Sequence, residues 1–407
     1  MAFRQRTSAR TARTGRPEGA PQSRVLACRA LRSLAVGLAL ALAAQPSHAA
    51  EAGESKASTA SELVPPPEPD RRLALGAAFV PGVAVHGSGH YVLGQRRTAS
   101  WLFLTEAVGA GLVVGGVTTL FASGNSRNLA AFGEGAIVLG AALVVGSFGA
   151  DVYGVAATDQ PAVQARSRAT PWYESELGYR YVADPHFAYA HFLVERVTLR
   201  GGHLRFEPSA WFDAGQHNVR YRLEGAYRFI GPLPHETAKY EEHLELVLGA
   251  MHQRYLPEQF RRSGGEVALA ARFDFGRFGD TLRGSFMELG AGYAVAQIRY
   301  DLDGINVPSL RDDVLLATVG LGVTLRGEAR PGSEVRVYYD HRHDDYAGGF
   351  LLPGRISGVF GKFGADFRWF FGGHAGVRVQ VEGSSAVVAG ASLLFRDTLP
   401  SAMVSPP

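Results

Sequence analysis

Between about Pro171 and Arg396, apolar and polar residues alternate at every second position, the period of a strand with two unlike faces. Val219, Tyr221, Leu223, Gly225, Tyr227 and Phe229 share one side, and Arg220, Arg222, Glu224 and Arg228 the other. The same split sets Val267, Leu269, Ala271 and Phe273 against Glu266, Arg272 and Asp274. It also sets Leu315, Val319 and Leu321 against Thr318, Gly320 and Arg326. Toward the end it sets Phe363, Phe367 and Trp369 against Lys362, Asp366 and Arg368, and Val377, Val379 and Val381 against Arg378 and Glu382. The pattern predicts about twelve strands, near 172–182, 187–198, 203–213, 218–230, 241–253, 265–276, 284–300, 313–327, 333–342, 355–370, 375–382 and 386–396. Many exceed the ~9 residues a tilted strand needs to cross a bilayer. Short connections (Ala214–His217, Gly383–Ser385) occur beside long polar ones (Asp301–Asp312, Asp340–Gly354), which suggests short turns at one end and longer loops at the other. Tyr173, Tyr179, Tyr181, Tyr227, Phe229, Phe275 and Trp369 fall near strand ends, where an aromatic girdle belongs. The expected fold over 171–396 is therefore mainly β: an antiparallel transmembrane β-barrel with its charged face toward the lumen. A soluble sandwich is the alternative, with its polar face toward water.

The period differs upstream. Over 73–158 lie two apolar runs, Trp101–Ala122 and Leu129–Gly149, interrupted by Glu106 and Glu134, closed by Asp151 and separated by the turn signal Ser123–Asn128. They read as an α-helical hairpin rich in small residues. Glycine costs a helix up to about 1 kcal/mol in water, yet it lets helices approach closely in apolar surroundings, and Gly111-x-x-x-Gly115 and Ala142-x-x-x-Gly146 carry that spacing. Ahead of the hairpin, Pro81–Gly94 contains His86, Gly87, Gly89 and His90. The glycines argue against a helix presenting both histidines to a metal, and for a close-packed turn with hydrogen-bonded imidazoles. Gly87-x-Gly89 lacks the third glycine of a dinucleotide motif.

Composition changes the picture mainly at the N-terminus. The 407-residue chain carries a formal charge of +3, but residues 1–32 hold eight arginines against Glu18 alone. An apolar run, Leu34–Ala44, and small residues up to Ala50 follow. That order describes a secretory signal peptide over 1–50, cut near Ala49. Without it, 33 basic and 37 acidic residues remain, a charge of about −4. Cys28, the only cysteine, precedes the apolar run and is lost with the leader, which excludes a disulfide framework and a thiolate zinc site. Residues 51–72, with Val64-Pro-Pro-Pro-Glu-Pro-Asp70, read as a Pro/Ser-rich linker, and 397–407 as a C-terminal tail.

In these features the chain resembles Gram-negative outer-membrane barrel proteins. Its last strand, Gly390-Ala-Ser-Leu393-Leu-Phe395, is similar to the final-strand signal read by barrel-assembly machinery, although Phe395 is followed by a tail. The glycine–histidine turn and helix pair ahead of a barrel look like those of outer-membrane proteins of unknown function. The resemblance implies the cell outer membrane as location, its lipid as surroundings and the assembly machinery as a partner in biogenesis. No cofactor is implied.

For function, the proposed lumen carries both signs of charge (Arg220, Arg222, Glu224, Arg228, Glu266, Arg272, Asp274, Arg326, Asp366, Arg368, Arg378 and Glu382), so cross-strand pairing is expected. A structural barrel, or one that passes or binds a small solute, follows. The leading alternative is a lipid-modifying hydrolase or acyltransferase, with Ser209 or Ser285 near His191, His243 or His252, although no Gly-x-Ser-x-Gly elbow occurs. A further alternative is an inner-membrane anchor bearing a periplasmic β-sandwich. His341, His343 and Asp344 form the densest set of potential metal ligands, read here as a polar loop, as are His235, Glu236, Glu241, Glu242 and His243. No mature basic stripe with interleaved aromatics argues for nucleic acid.

Overall fold

The computed structural model describes residues 70–122, 127–157, 170–234, 240–301, 308–325, 332–342, 346–351 and 359–397, apart from isolated positions within these ranges. The leader, most of the linker, most of the tail, Arg326, His343, Asp344 and His235 lie outside the described residues. The linker expected to reach Arg72 gives way at Asp70, whose carboxylate accepts the Arg72 and Leu73 amides and caps helix α1 (Arg71–Phe79).

After α1 come the short α2 (Ser88–Val92), then α3 (Arg96–Ala122) and α4 (Arg127–Ala156), the two arms of the hairpin. Both arms include stretches long and apolar enough to cross a membrane, Arg96–Ala122 and Phe132–Ala156. The strands are β1 (Tyr173–Ala183), β2 (His191–Gly201), β3 (Leu204–Asp213), β4 (Asn218–Ile230), β5 (His243–Tyr255), β6 (Phe260–Asp274), β7 (Ser285–Tyr300), β8 (Leu310–Thr324), β9 (Glu334–Asp340), β10 (Phe350–Leu351), β11 (Val359–Phe360), β12 (Lys362–Phe371), β13 (Ala375–Gly383) and β14 (Val387–Arg396).

Twelve of these close into one antiparallel barrel, with β14 paired back onto β1 from Glu174–Arg396 to Ala183–Val387. The pair β10–β11 stands apart, so the strand expected over 355–370 is β11 followed by β12. Closure decides against both sandwich alternatives: a sandwich buries its apolar face, whereas this sheet turns Leu177, Leu193, Tyr221, Leu223, Leu248, Val337 and Leu393 outward and exposed. Arg180, Arg378 and Asp366 are instead buried inside. Tyr179 and Tyr181 face outward at one rim, and Tyr227 and Phe229 at the other.

The rims differ from the sequence expectation. Strand direction places the connections after β3, β7, β9 and β13 at the same rim, so Ala214–His217, Gly383–Ser385 and the two long polar loops share one mouth. Length alone does not reveal the rim, because that depends on the parity of every preceding strand. The opposite rim holds the start of β1 and the end of β14.

The hairpin packs against the outside of the barrel. Leu102 of α3 and Ala150 of α4 form a buried cluster with Phe275, Leu282 and Met287, with Leu143, Phe273, Leu289 and Leu321 packed around it. Phe275, expected in a girdle, is instead covered here, and Trp101 stacks on Phe278 at 5.3 Å. From there α4 continues along the outer wall against β7 and β8.

Helix contact uses glycines other than those expected. A Cβ on Gly111 or Gly115 would meet nothing within 4 Å, whereas one on Gly109 would stand 2.7 Å from the Gly140 carbonyl and one on Gly116 2.6 Å from that of Gly133. Ala142 is buried, and Gly146 faces the barrel, where a Cβ would lie 2.8 Å from Leu321 Cδ2. Gly140→Leu should therefore destabilise the hairpin by about 1–3 kcal/mol through overpacking, and Gly111→Leu should be neutral. Protease digestion of reconstituted protein checks this: equal protection of the two variants would contradict the assigned interface.

Candidate functional site

Two polar centres lie within this frame. The first is the barrel interior. Because side chains alternate strictly across each strand, inward arginines and acids meet within a strand, on neighbouring strands and across one intervening strand. The result is a continuous belt. Arg342 meets Glu266 at 2.7 Å, Glu266 also holds Arg222, and Arg222 reaches Glu224 at 3.2 Å. Arg205 links Glu224 (2.9 Å) to Glu207 (3.2 Å), and Arg196 links Glu207 (3.4 Å) to Glu176 (3.7 Å). Across the β14–β1 closure Arg378 joins Glu176 (2.8 Å) to Asp366 (2.6 Å). Arg336 then joins Asp366 (3.3 Å) to Glu288 (2.8 Å), and Arg272 ends the circuit on Glu288 (3.7 Å) and Glu334 (2.6 Å).

The structure places the other expected lumen residues as follows. Arg228 pairs with Glu245 at 2.7 Å, Arg368 with Glu174 at 3.3 Å, and Glu382 with Lys362 at 3.0 Å and the Tyr338 hydroxyl at 2.5 Å. Asp274 accepts the Gly276 amide at 2.7 Å and so caps the turn after β6. Arg220 lies between two aromatic rings, its guanidinium 4.4 Å from the Trp211 centroid and 4.6 Å from that of Tyr346. Tyr346 lies in the long β9–β12 connection, and it sits with Ala347 in the mouth of the barrel. Its hydroxyl donates to Asn218 (2.9 Å), and its ring joins an inward cluster with Phe192, Trp211, Tyr189 and Val388. Sequence reasoning missed this inward segment, although an aromatic directly after an acidic loop run was a usable signal.

The second centre is the glycine–histidine turn. The Asp151 carboxylate, wholly buried, accepts the amides of Gly87 (3.0 Å), Gly89 (3.2 Å) and His90 (3.2 Å), and meets His90 Nδ1 at 2.5 Å. His90 Nε2 lies 3.1 Å from the Thr281 hydroxyl, which donates to Gln95. Gly87 is required twice, by its φ of +88° and by the Ala99 carbonyl, which a Cβ would approach to 2.5 Å. His86 pairs with Ser147 at 2.7 Å, and its amide donates to Glu106 at 2.8 Å. Burial holds the His86 imidazole below its usual range, against the pull of Glu106 and Asp151. Both histidines thus tie the turn to the hairpin.

The enzyme candidates do not assemble. Ser209 points inward while His252 points outward, Ser285 donates to the Leu282 carbonyl, and His191 meets the Tyr179 hydroxyl. His252 instead pairs with Ser263 at 2.8 Å on the outer wall, and no carboxylate bonds it among the described residues. His341 meets the Tyr339 hydroxyl at 2.7 Å, and among the described residues no three potential ligands gather for a metal.

A sheet closed on itself, apolar outside and charged within, is the one β architecture that satisfies every backbone group inside a bilayer. The chain is an outer-membrane β-barrel protein, with a helical hairpin on its lipid-facing wall. No protein-family model and no curated protein matches the sequence. Among solved structures it is similar to the KdgM porin in complex with disordered oligogalacturonate, at 6% identity and a TM-score of 0.35 over 55% of this chain and 99% of that one. It is also similar to Omp33 of Acinetobacter baumannii (11%, 0.29, 56% and 98%) and to the β domain of the Bordetella autotransporter BrkA (14%, 0.31, 55% and 97%).

Proposed function

We propose that the protein is a structural barrel with a braced, occluded lumen, exported by its leader and spaced from it by the Pro-rich linker, rather than an open pore. The observation that carries this reading is the ion-pair belt, in which lumen charges neutralise one another along the wall. The seating of Tyr346 on Arg220 and Trp211 supports it by covering one mouth. The charged lumen would suit a small polar solute once that segment is displaced.

Planar-bilayer recordings test the proposal. Wild type should give no stable conductance steps at neutral pH, and the Tyr346→Ala/Arg220→Ala variant should give discrete ones. Stable ohmic steps from wild type would overturn the occluded reading in favour of a conduit.

A further inference from the structure

On the outer wall, three arginines stand side by side. Arg254 on β5 pairs in register with Arg261 on β6, which pairs with Arg299 on β7. All three face outward and are exposed. One register step toward the barrel's waist lie His252, Ser263, Gln297 and Arg311. Like charges directly opposite on neighbouring strands repel and destabilise the sheet, so the row calls for a counter-charge. Intramolecular acids supply only part of it. Asp301 takes Arg261 at 3.1 Å, Asp313 takes Arg311 at 2.9 Å, Arg299 bonds the Gln297 amide oxygen at 3.0 Å, and Arg254 makes no ion pair among the described residues.

The row's position identifies the missing counter-charge. Following the outward face of β5 from the other rim, the residues are Leu244, Leu246, Leu248 and Ala250, then His252 and Arg254. On β7, past Met287 and Leu289, which the hairpin covers, the outward sequence is Ala291, Tyr293 and Val295, then Gln297 and Arg299. An acyl chain lying on either apolar run would carry its headgroup to the guanidiniums, where planar donors bind phosphate oxygens bidentately. We propose that Arg254, Arg261 and Arg299 form a binding site for the phosphate of an anionic lipid headgroup, in the leaflet at the rim opposite the barrel termini. A soluble anion would not need the apolar approach, so the site is assigned to lipid.

The test uses the full mature chain in nanodiscs of zwitterionic phosphatidylcholine doped with phosphatidic acid, with retained lipid measured by native mass spectrometry. Wild type should retain phosphatidic acid over phosphatidylcholine, R254Q should lose about threefold, and R254Q/R261Q/R299Q at least tenfold. Inorganic phosphate at matched concentration should not compete. Should the triple glutamine variant fail heat-modifiable migration, R254K/R261K/R299K replaces it, keeping charge but losing the bidentate fork, with an intermediate loss expected. Unchanged retention in the substituted barrels, or equal displacement by inorganic phosphate, would overturn the proposal.

Discussion

Arg378→Ala should be the most damaging single substitution in the barrel, lowering stability by about 3 kcal/mol. Arg378 donates to Glu176 at 2.8 Å and to Asp366 at 2.6 Å and 2.9 Å, and all three side chains are buried. Removing one partner of a buried pair costs about 3–5 kcal/mol, because the remaining charge stays desolvated. The lower figure applies here, since Glu176 keeps Arg180 at 2.6 Å and Asp366 keeps Arg336 at 3.3 Å. Size is not the issue, so Arg378→Met should be equally harmful, and R378M/E176L/D366L should not recover the loss, because removing Glu176 strips buried Arg180 of its acid and removing Asp366 takes one of the acids that Arg336 holds. Urea unfolding of the barrel in vesicles, read by its heat-modifiable gel migration, measures these differences. A loss under about 1 kcal/mol for Arg378→Ala would mean that water reaches the belt and screens it.

The barrel was legible because a strand's side chains alternate without drift. Arg220, Arg222, Glu224 and Arg228 could be assigned to one face from spacing alone, and they face inward. Which acid each arginine meets was not legible. Partners such as Arg378 and Glu176 lie two strands apart across the closure of the sheet, so their meeting depends on strand order and register. The helix interface was misread for a related reason. Small residues occur on several faces of both helices, and four-residue spacing picks out Gly111 and Gly115, which face away. The contact follows a seven-residue spacing, Gly109 with Gly116 and Gly133 with Gly140, which keeps one seam along two turns. The Asp151 cradle was legible on one side only. The glycines announced a tight turn, but the carboxylate that fills it lies some 60 residues away and had looked like a helix terminator.

That cradle yields the second large effect. Asp151→Ala should release the turn and α2 from the hairpin while leaving the barrel closed. The change strips the buried amides of Gly87, Gly89 and His90 of their acceptor, each worth about 1–3 kcal/mol when left unsatisfied, and it deprives His90 Nδ1 of its partner. Local loss therefore exceeds about 3 kcal/mol, and amide exchange over 86–92 should accelerate at least 100-fold. Strand amides in β12–β14 should be unaffected. Asp151→Asn separates charge from shape: its single carbonyl oxygen can still accept, but its NH2 confronts further donors, so protection should fall between wild type and Ala. If exchange over 86–92 stays at the wild-type rate in Asp151→Ala, the turn is held by glycine packing against Ala99 and Val155 alone, and the carboxylate contributes little to anchoring the hairpin on the barrel.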